Sequence, residues 1–213
     1  TVSLSGTLIT CFGGSDGSID ITVTGGAAPY SFQWTDSVAF TSISEDITGL
    51  KQGTYVVEVK DKNGCILKLL PGSLYPSFTL TEPAPLVITP VLSNSTAGGY
   101  NINCNGGTGS IDITVTGGSG PGTYVYNWTT SNGSGIAAGQ GNQGSLNAGT
   151  YILEVTDLYG CKVLFDTLLT EPPALAATAV PKHITCAAPG FDNGEVDLTV
   201  TGGVAPYTHL WSN

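Results

Sequence analysis

Few residues in this chain can do more than pack: five cysteines, two histidines and sixteen carboxylates among 213 positions. Catalysis needs titratable groups that converge in a cleft. His183 and His209 are the only imidazoles. His209 stands where two earlier, matching segments carry Phe32 and Tyr126, so its expected role is a packed, hydrogen-bonded side chain. His183 and Cys186 have metal-ligand spacing, but a tetrahedral site needs a second pair and none follows. Serines and threonines are plentiful, yet no base recurs beside them at matching sites. We therefore expect no catalytic residue, no metal ligand and no cofactor. Calcium is the stronger rival, because Asp16, Asp61 and Asn63 would supply oxygen ligands if their loops met. The matching positions of the next segment are Thr108-Gly109 and Tyr159, so local hydrogen bonds that hold turns are the preferred role.

The cysteines fall at 11, 65, 104, 161 and 186. Their meaning depends on the elements that carry them. Ser18 to Gly26 reads SIDITVTGG, returns letter for letter from Ser110 to Gly118, and reappears as EVDLTVTGG from Glu195 to Gly203. Ile19, Ile21 and Val23 alternate with Ser18, Asp20, Thr22 and Thr24, which predicts a half-buried strand closed by a Gly-Gly turn. The copies start at 18, 110 and 195, steps of 92 and 85, which is the size of a β-sandwich module. The predicted organisation is a repeat over 1–86, a second over 87–175 and the first half of a third over 176–213.

Each repeat predicts the same strands. Tyr30, Phe32 and Trp34 alternate on one face, as do Tyr124, Tyr126 and Trp128, and then Tyr207, His209 and Trp211. Aromatic rings so placed are expected to fill the core. Leu50-Lys51-Gln52-Gly53-Thr54-Tyr55 and Leu146-Asn147-Ala148-Gly149-Thr150-Tyr151 predict a tyrosine corner, in which the phenol bonds back to the upstream backbone. Asn63-Gly64 predicts a hairpin with positive φ at both residues. Residues 132–145, rich in Gly, Ser, Asn and Gln, read as a mobile loop. The proline-rich connectors TEPAPL (81–86) and TEPPAL (170–175) leave little slack between repeats. The fold class expected is all-β: tandem immunoglobulin-like sandwiches forming a rod.

Two cysteines per complete repeat, 54 and 57 residues apart, predict one disulfide within each: Cys11 with Cys65 and Cys104 with Cys161. Cys186 takes the first position of its pair, so it is expected to be unpaired here, with a partner beyond residue 213. Closing a loop of that length stabilises by about 4 kcal/mol in the chain-entropy model. Disulfides imply an oxidising compartment, hence an extracellular location. Six Lys plus Arg against sixteen Asp plus Glu give a net charge of -10, which argues against nucleic acid and anionic lipid as partners. No apolar run approaches the ~20 residues of a membrane span, so no membrane insertion is expected.

The ordered motifs C-x-G-G-x-x-G-S-I-D-I-T-V-T-G-G-x-x-P-Y-x-F-x-W, L-x-x-G-x-Y-x-x-x-V-x-D-x-x-G-C and T-E-P-x-x-L resemble the SprB-type repeat of very large surface adhesins of gliding Bacteroidota. The resemblance covers the whole chain, departing at Cys186-Ala187-Ala188-Pro189-Gly190, where the Gly-Gly is missing. It implies a cell-surface adhesin stalk, exported by the type IX secretion system and moved along the cell during gliding. Its expected partners are neighbouring repeats, the gliding and secretion machinery, and a surface polysaccharide or substratum. Two alternatives stand beside it, a polysaccharide-binding module and an accessory region of a secreted hydrolase. Against the first, the aromatics of each repeat fall on the inward face.

Overall fold

A computed structural model describes residues 2–68, 75–94, 98–120, 122–183 and 194–212. Cys186 lies outside the described residues. Among the described residues every regular element is a β-strand, and every strand pairing of known register is antiparallel.

The chain forms two compact units. The first comprises Thr1–Val87, Val115–Tyr124 and Thr156–Val163. Its strands are β1 (Val2–Thr7), β2 (Gly17–Val23), β3 (Ser31–Thr35), β4 (Thr41–Ser42), β5 (Ile47–Leu50), β6 (Gly53–Lys60) and β7 (Ser77–Leu80). They form two sheets, β1-β2-β5 and β4-β3-β6-β7. This three-plus-four arrangement is an immunoglobulin-like sandwich. The alternation expected of the nine-residue strand is present: Ile19 and Ile21 are buried while Asp20 and Thr22 are exposed. Ile19, Ile21, Trp34, Ile47, Leu50, Tyr55, Val57, Val59 and Leu80 form the core, with Tyr30 and Phe32 partly buried against it. Trp34 is fully buried, and its indole N–H donates to the Ser44 carbonyl at 3.0 Å. The Tyr55 hydroxyl donates to the Lys51 carbonyl at 2.9 Å, completing the tyrosine corner.

Strand direction fixes which loops share an end. β2 runs away from the Cys11 loop, β3 returns antiparallel, and β6 runs antiparallel to β3. The Cys11 loop therefore lies at the end where β2 starts, and the Asp61–Cys65 turn at the end where β2 finishes. The second placement is direct: Lys62 N–H donates to the Ala27 carbonyl at 2.8 Å, just beyond the Gly25-Gly26 turn. In the Asp61 turn only Gly64 has positive φ (79°), so Asn63 does not take the conformation predicted for it. The Asp61 carboxylate, which accepts from Asn63 N–H and Cys65 N–H at 2.9 Å each, closes the turn instead.

The second unit comprises Ile88–Thr114, Val125–Val155 and Leu164–Asn213. β8 (Val87–Leu92), β9 (Gly109–Thr116) and β11 (Gln143–Leu146) form one sheet, ordered β11-β9-β8. β10 (Val125–Thr130), β12 (Gly149–Thr156) and β13 (Lys162–Leu169) form the other. Ile102, Ile111, Trp128, Leu146, Tyr151, Leu153 and Leu169 are buried. The 132–145 segment is more built than its composition predicted. Gln143 is buried, its amide N–H groups donating to the Ala137 and Gln140 carbonyls and its oxygen accepting from Ala137 N–H. These three hydrogen bonds offset the cost of taking the amide out of water, and they organise the loop into β11.

The third copy contributes β14 (Ala176–Lys182) and β15 (Glu195–Thr201), a two-stranded antiparallel sheet. Tyr207, His209 and Trp211 are exposed, contrary to the packed position expected for His209. The reason is simple: among the described residues no second sheet lies over this face. His209 and Trp211 instead meet edge to face, ring centroids 6.4 Å apart.

Candidate functional site: the junction of successive repeats

The connector after β7 leaves the first repeat beside the Cys11 loop. Leu80 ends β7 opposite Gly53, and Ile9 N–H donates to the Thr81 carbonyl. Glu82 Oε2 then accepts from Gly13 N–H at 2.7 Å, tying connector to loop. The Gly117-Gly118 turn of the second repeat docks on the same connector, Gly118 N–H donating to the Ala84 carbonyl at 2.8 Å. Gly117 has φ +81°, and a Cβ there would collide with the Pro85 carbonyl. The glycine that ends the nine-residue strand is thus required twice, for its dihedral and for its closeness to the neighbour.

The turn from Asp157 to Cys161 completes the junction. Asp157 is almost fully buried. Its Oδ1 accepts from Tyr159 N–H and Cys161 N–H at 3.0 and 2.9 Å, and its Oδ2 from Ser119 N–H at 2.7 Å. Burial alone would raise the carboxyl's pKa. The backbone N–H groups of Ser119, Cys161, Tyr159 and Gly160 outweigh it and hold the group below the usual carboxylate range. The Ser119 hydroxyl donates to the Thr10 carbonyl at 3.1 Å, so the two turns present Cys161 to the Cys11 loop.

Cys11 is disulfide-bonded to Cys161, with Cα atoms 5.6 Å apart and a sequence separation of 150. This corrects the expected pairing of Cys11 with Cys65 and Cys104 with Cys161. Cys65 and Cys104 are free and exposed. The physical reason is strand direction. β2 covers seven residues, about 20 Å at the rise of an extended chain, and it separates the end holding Cys11 from the end holding Cys65. A disulfide bridges Cα atoms at most ~7 Å apart. The bond ties two loops, and the two loops belong to different repeats. That signal was in the sequence: Cys11 precedes one outbound strand and Cys65 follows another, so parity alone puts them at opposite ends.

The same geometry disperses the oxygen cluster considered for calcium. Asp16 accepts from the Thr10 hydroxyl and from Thr10 N–H, which lower its pKa in that order. Asp61, at the other end, accepts from Cys65, Ala27 and Asn63 N–H groups, which lower its pKa likewise. Each carboxylate holds its own turn. Among the described residues no three His, Cys, Asp or Glu side chains gather as a metal site. His183 lies at the end of β14, apart from His209 beyond β15.

Comparison with known proteins follows the repeat. The family described as SprB repeat matches residues 9–39, 100–133 and 178–213. No curated protein matches the sequence. Among solved structures, the crystal structure of the C-terminal 282-residue fragment of intimin, in complex with the translocated intimin receptor intimin-binding domain, matches with a TM-score of 0.42 and 13% identity. The match covers 85% of this chain and 66% of that one, so this chain spans just under two thirds of the intimin fragment's length.

Proposed function

We propose that this chain, which carries the SprB repeat three times, is a stalk segment of a large secreted cell-surface adhesin acting in surface attachment and gliding motility. The observation that carries the reading is the Cys11–Cys161 bond, which fastens the first repeat to the second at their junction. A covalent clamp between successive modules suits a chain that transmits force or holds a tip away from a cell. It has no evident use in a catalytic scaffold. The repeats divide at 1–86, 87–175 and 176–213, and their first partners are one another. Contacts with a substratum or surface polysaccharide are weak singly and become effective through repetition. Export by the type IX system and movement by the gliding machinery complete the reading; nucleic acid and membrane insertion have no part in it. The scarcity of convergent titratable groups supports a non-enzymatic role.

Antibodies raised against residues 1–213 test the proposal on intact cells. Surface labelling and moving antibody-coated beads are expected, with attachment lost when the repeats are deleted. Labelling that appears only after permeabilisation, or attachment that survives the deletion, contradicts it. A polysaccharide-binding reading has one observation in its favour. Tyr159, 63% exposed, lines a groove with Leu8, Thr10 and Pro83. Binding of a neutral polysaccharide that a Tyr159→Ala variant loses would favour it over a purely mechanical role.

A further inference from the structure

We propose that Cys104 and Cys65 are the open halves of two further inter-repeat disulfides, so that the opening-loop cysteine of each repeat bonds to the closing-turn cysteine of the repeat that follows. The argument is a comparison of junctions within the one chain. At the junction holding the Cys11–Cys161 bond, Glu82 accepts from Gly13 N–H and Gly118 N–H donates to the Ala84 carbonyl. Beside Cys104 both contacts recur. Glu171 accepts from Gly106 N–H at 2.7 Å and Gly203 N–H donates to the Pro173 carbonyl at 2.8 Å. A Cβ on Gly202 would meet the Ala174 carbonyl, as one on Gly117 would meet that of Pro85. The third repeat's strand and turn are therefore docked on the second repeat as the second's are on the first.

One part of the junction is not supplied by the described residues: a turn equivalent to Asp157–Cys161. Where that turn would sit, Cys104 is exposed and opens onto a groove with Asn105, Pro172, Pro173, Leu175 and Gly203. The matching groove holds Cys11, Ala84, Pro85, Leu86 and Gly118, together with Cys161. Cys65 shows the complementary half. Its turn has the hydrogen bonds of the bonded one: Asp61 N–H donates to the Cys65 carbonyl at 3.1 Å, as Asp157 N–H does to that of Cys161 at 3.0 Å. Asp61 holds Cys65 N–H and Ala27 N–H as Asp157 holds Cys161 N–H and Ser119 N–H. Cys65 is thus presented as Cys161 is, towards the opening loop of whichever repeat docks at that end. Each bond forms when two thiols lose two protons and two electrons. The electrons pass to the disulfide of a thiol–disulfide oxidant, which leaves as a dithiol.

This inference stands on junction geometry and not on the adhesive role, so either can fail without the other. It is tested by alkylating free thiols without reduction and mapping the linked peptides. In the 213-residue chain alone, Cys65 and Cys104 are expected to be labelled and Cys11 and Cys161 protected. In the intact protein bearing these repeats, neither Cys65 nor Cys104 takes label. Cys104 is then found joined to the closing-turn cysteine of the next repeat, and Cys65 to an opening-loop cysteine. In that protein, Cys104→Ser releases the partner for labelling. Recovery of Cys65 or Cys104 as an alkylated thiol from the intact protein, or a Cys65–Cys104 or Cys104–Cys186 link, overturns the proposal.

Discussion

Substituting the cysteines one at a time separates the observed pairing from the one their spacing suggested. The Cys11–Cys161 bond closes a loop of 150 residues. In the chain-entropy model such a bond removes about 17 cal/mol/K from the unfolded chain, or about 5 kcal/mol at 25 °C. With a urea slope of about 2.5 kcal/mol/M for a chain of this size, Cys11→Ser should lower the unfolding midpoint by about 2 M. Cys161→Ser should do the same, and the double variant should cost no more than either alone, because both remove one bond. Cys65→Ser and Cys104→Ser remove exposed thiols with no disulfide partner among the described residues, so each should fall within about 0.5 kcal/mol of the parent. The assay is urea denaturation followed by Trp34 and Trp128 fluorescence, with and without reductant. Reductant should bring the parent to the midpoint of Cys11→Ser and leave that variant unmoved. If Cys65→Ser destabilises as much as Cys11→Ser, the bond lies within the repeat and the reasoning from strand direction is wrong.

Two further outcomes follow from the Gly-Gly turn of the second repeat and from the carboxylates that hold turns. Gly117→Ala forces a side chain into a φ of +81° and against the Pro85 carbonyl, so it should cost about 2 kcal/mol or more; thermal melting checks it, and Gly144→Ala, at a site with open space, is the control. The carboxyls of Asp16, Asp61 and Asp157 are held below their usual range by N–H and O–H donors in the folded state. Their contribution is therefore fully present above the unfolded carboxyl pKa near 4, and is lost as pH falls through the lower folded values. Urea midpoints measured from pH 6 down to pH 2 should fall below about pH 4, and Asp157→Asn should flatten that decline while lowering the plateau.

Much of the fold was legible because it rests on short-range pattern. Alternation named the buried face of β2, the aromatics placed Trp34 and Trp128, and the L-x-x-G-x-Y spacing placed the phenols of Tyr55 and Tyr151 over the backbone four residues upstream. Patterns that depend on a partner were less legible. Nothing in the composition of residues 132–145 marks Gln143 as buried, because what makes burial tolerable is three hydrogen bonds to a loop that folds around it. Cysteine count per repeat fits pairing within a repeat and pairing between repeats equally well. The deciding quantity is the length of a strand, and it required following chain direction through β2, β3 and β6 rather than matching positions. His209 shows the converse: alternation suggested an inward register, but residues 204–212 form no strand and His209 is exposed, because burial needs both a paired strand and a second sheet above it.

Peptide mapping of the unreduced 213-residue chain, digested at acid pH to prevent exchange, tests the central claim most directly. The account predicts one linked pair of peptides, carrying Cys11 and Cys161, that separates on reduction. Linked peptides carrying Cys11 with Cys65, or Cys104 with Cys161, would contradict it.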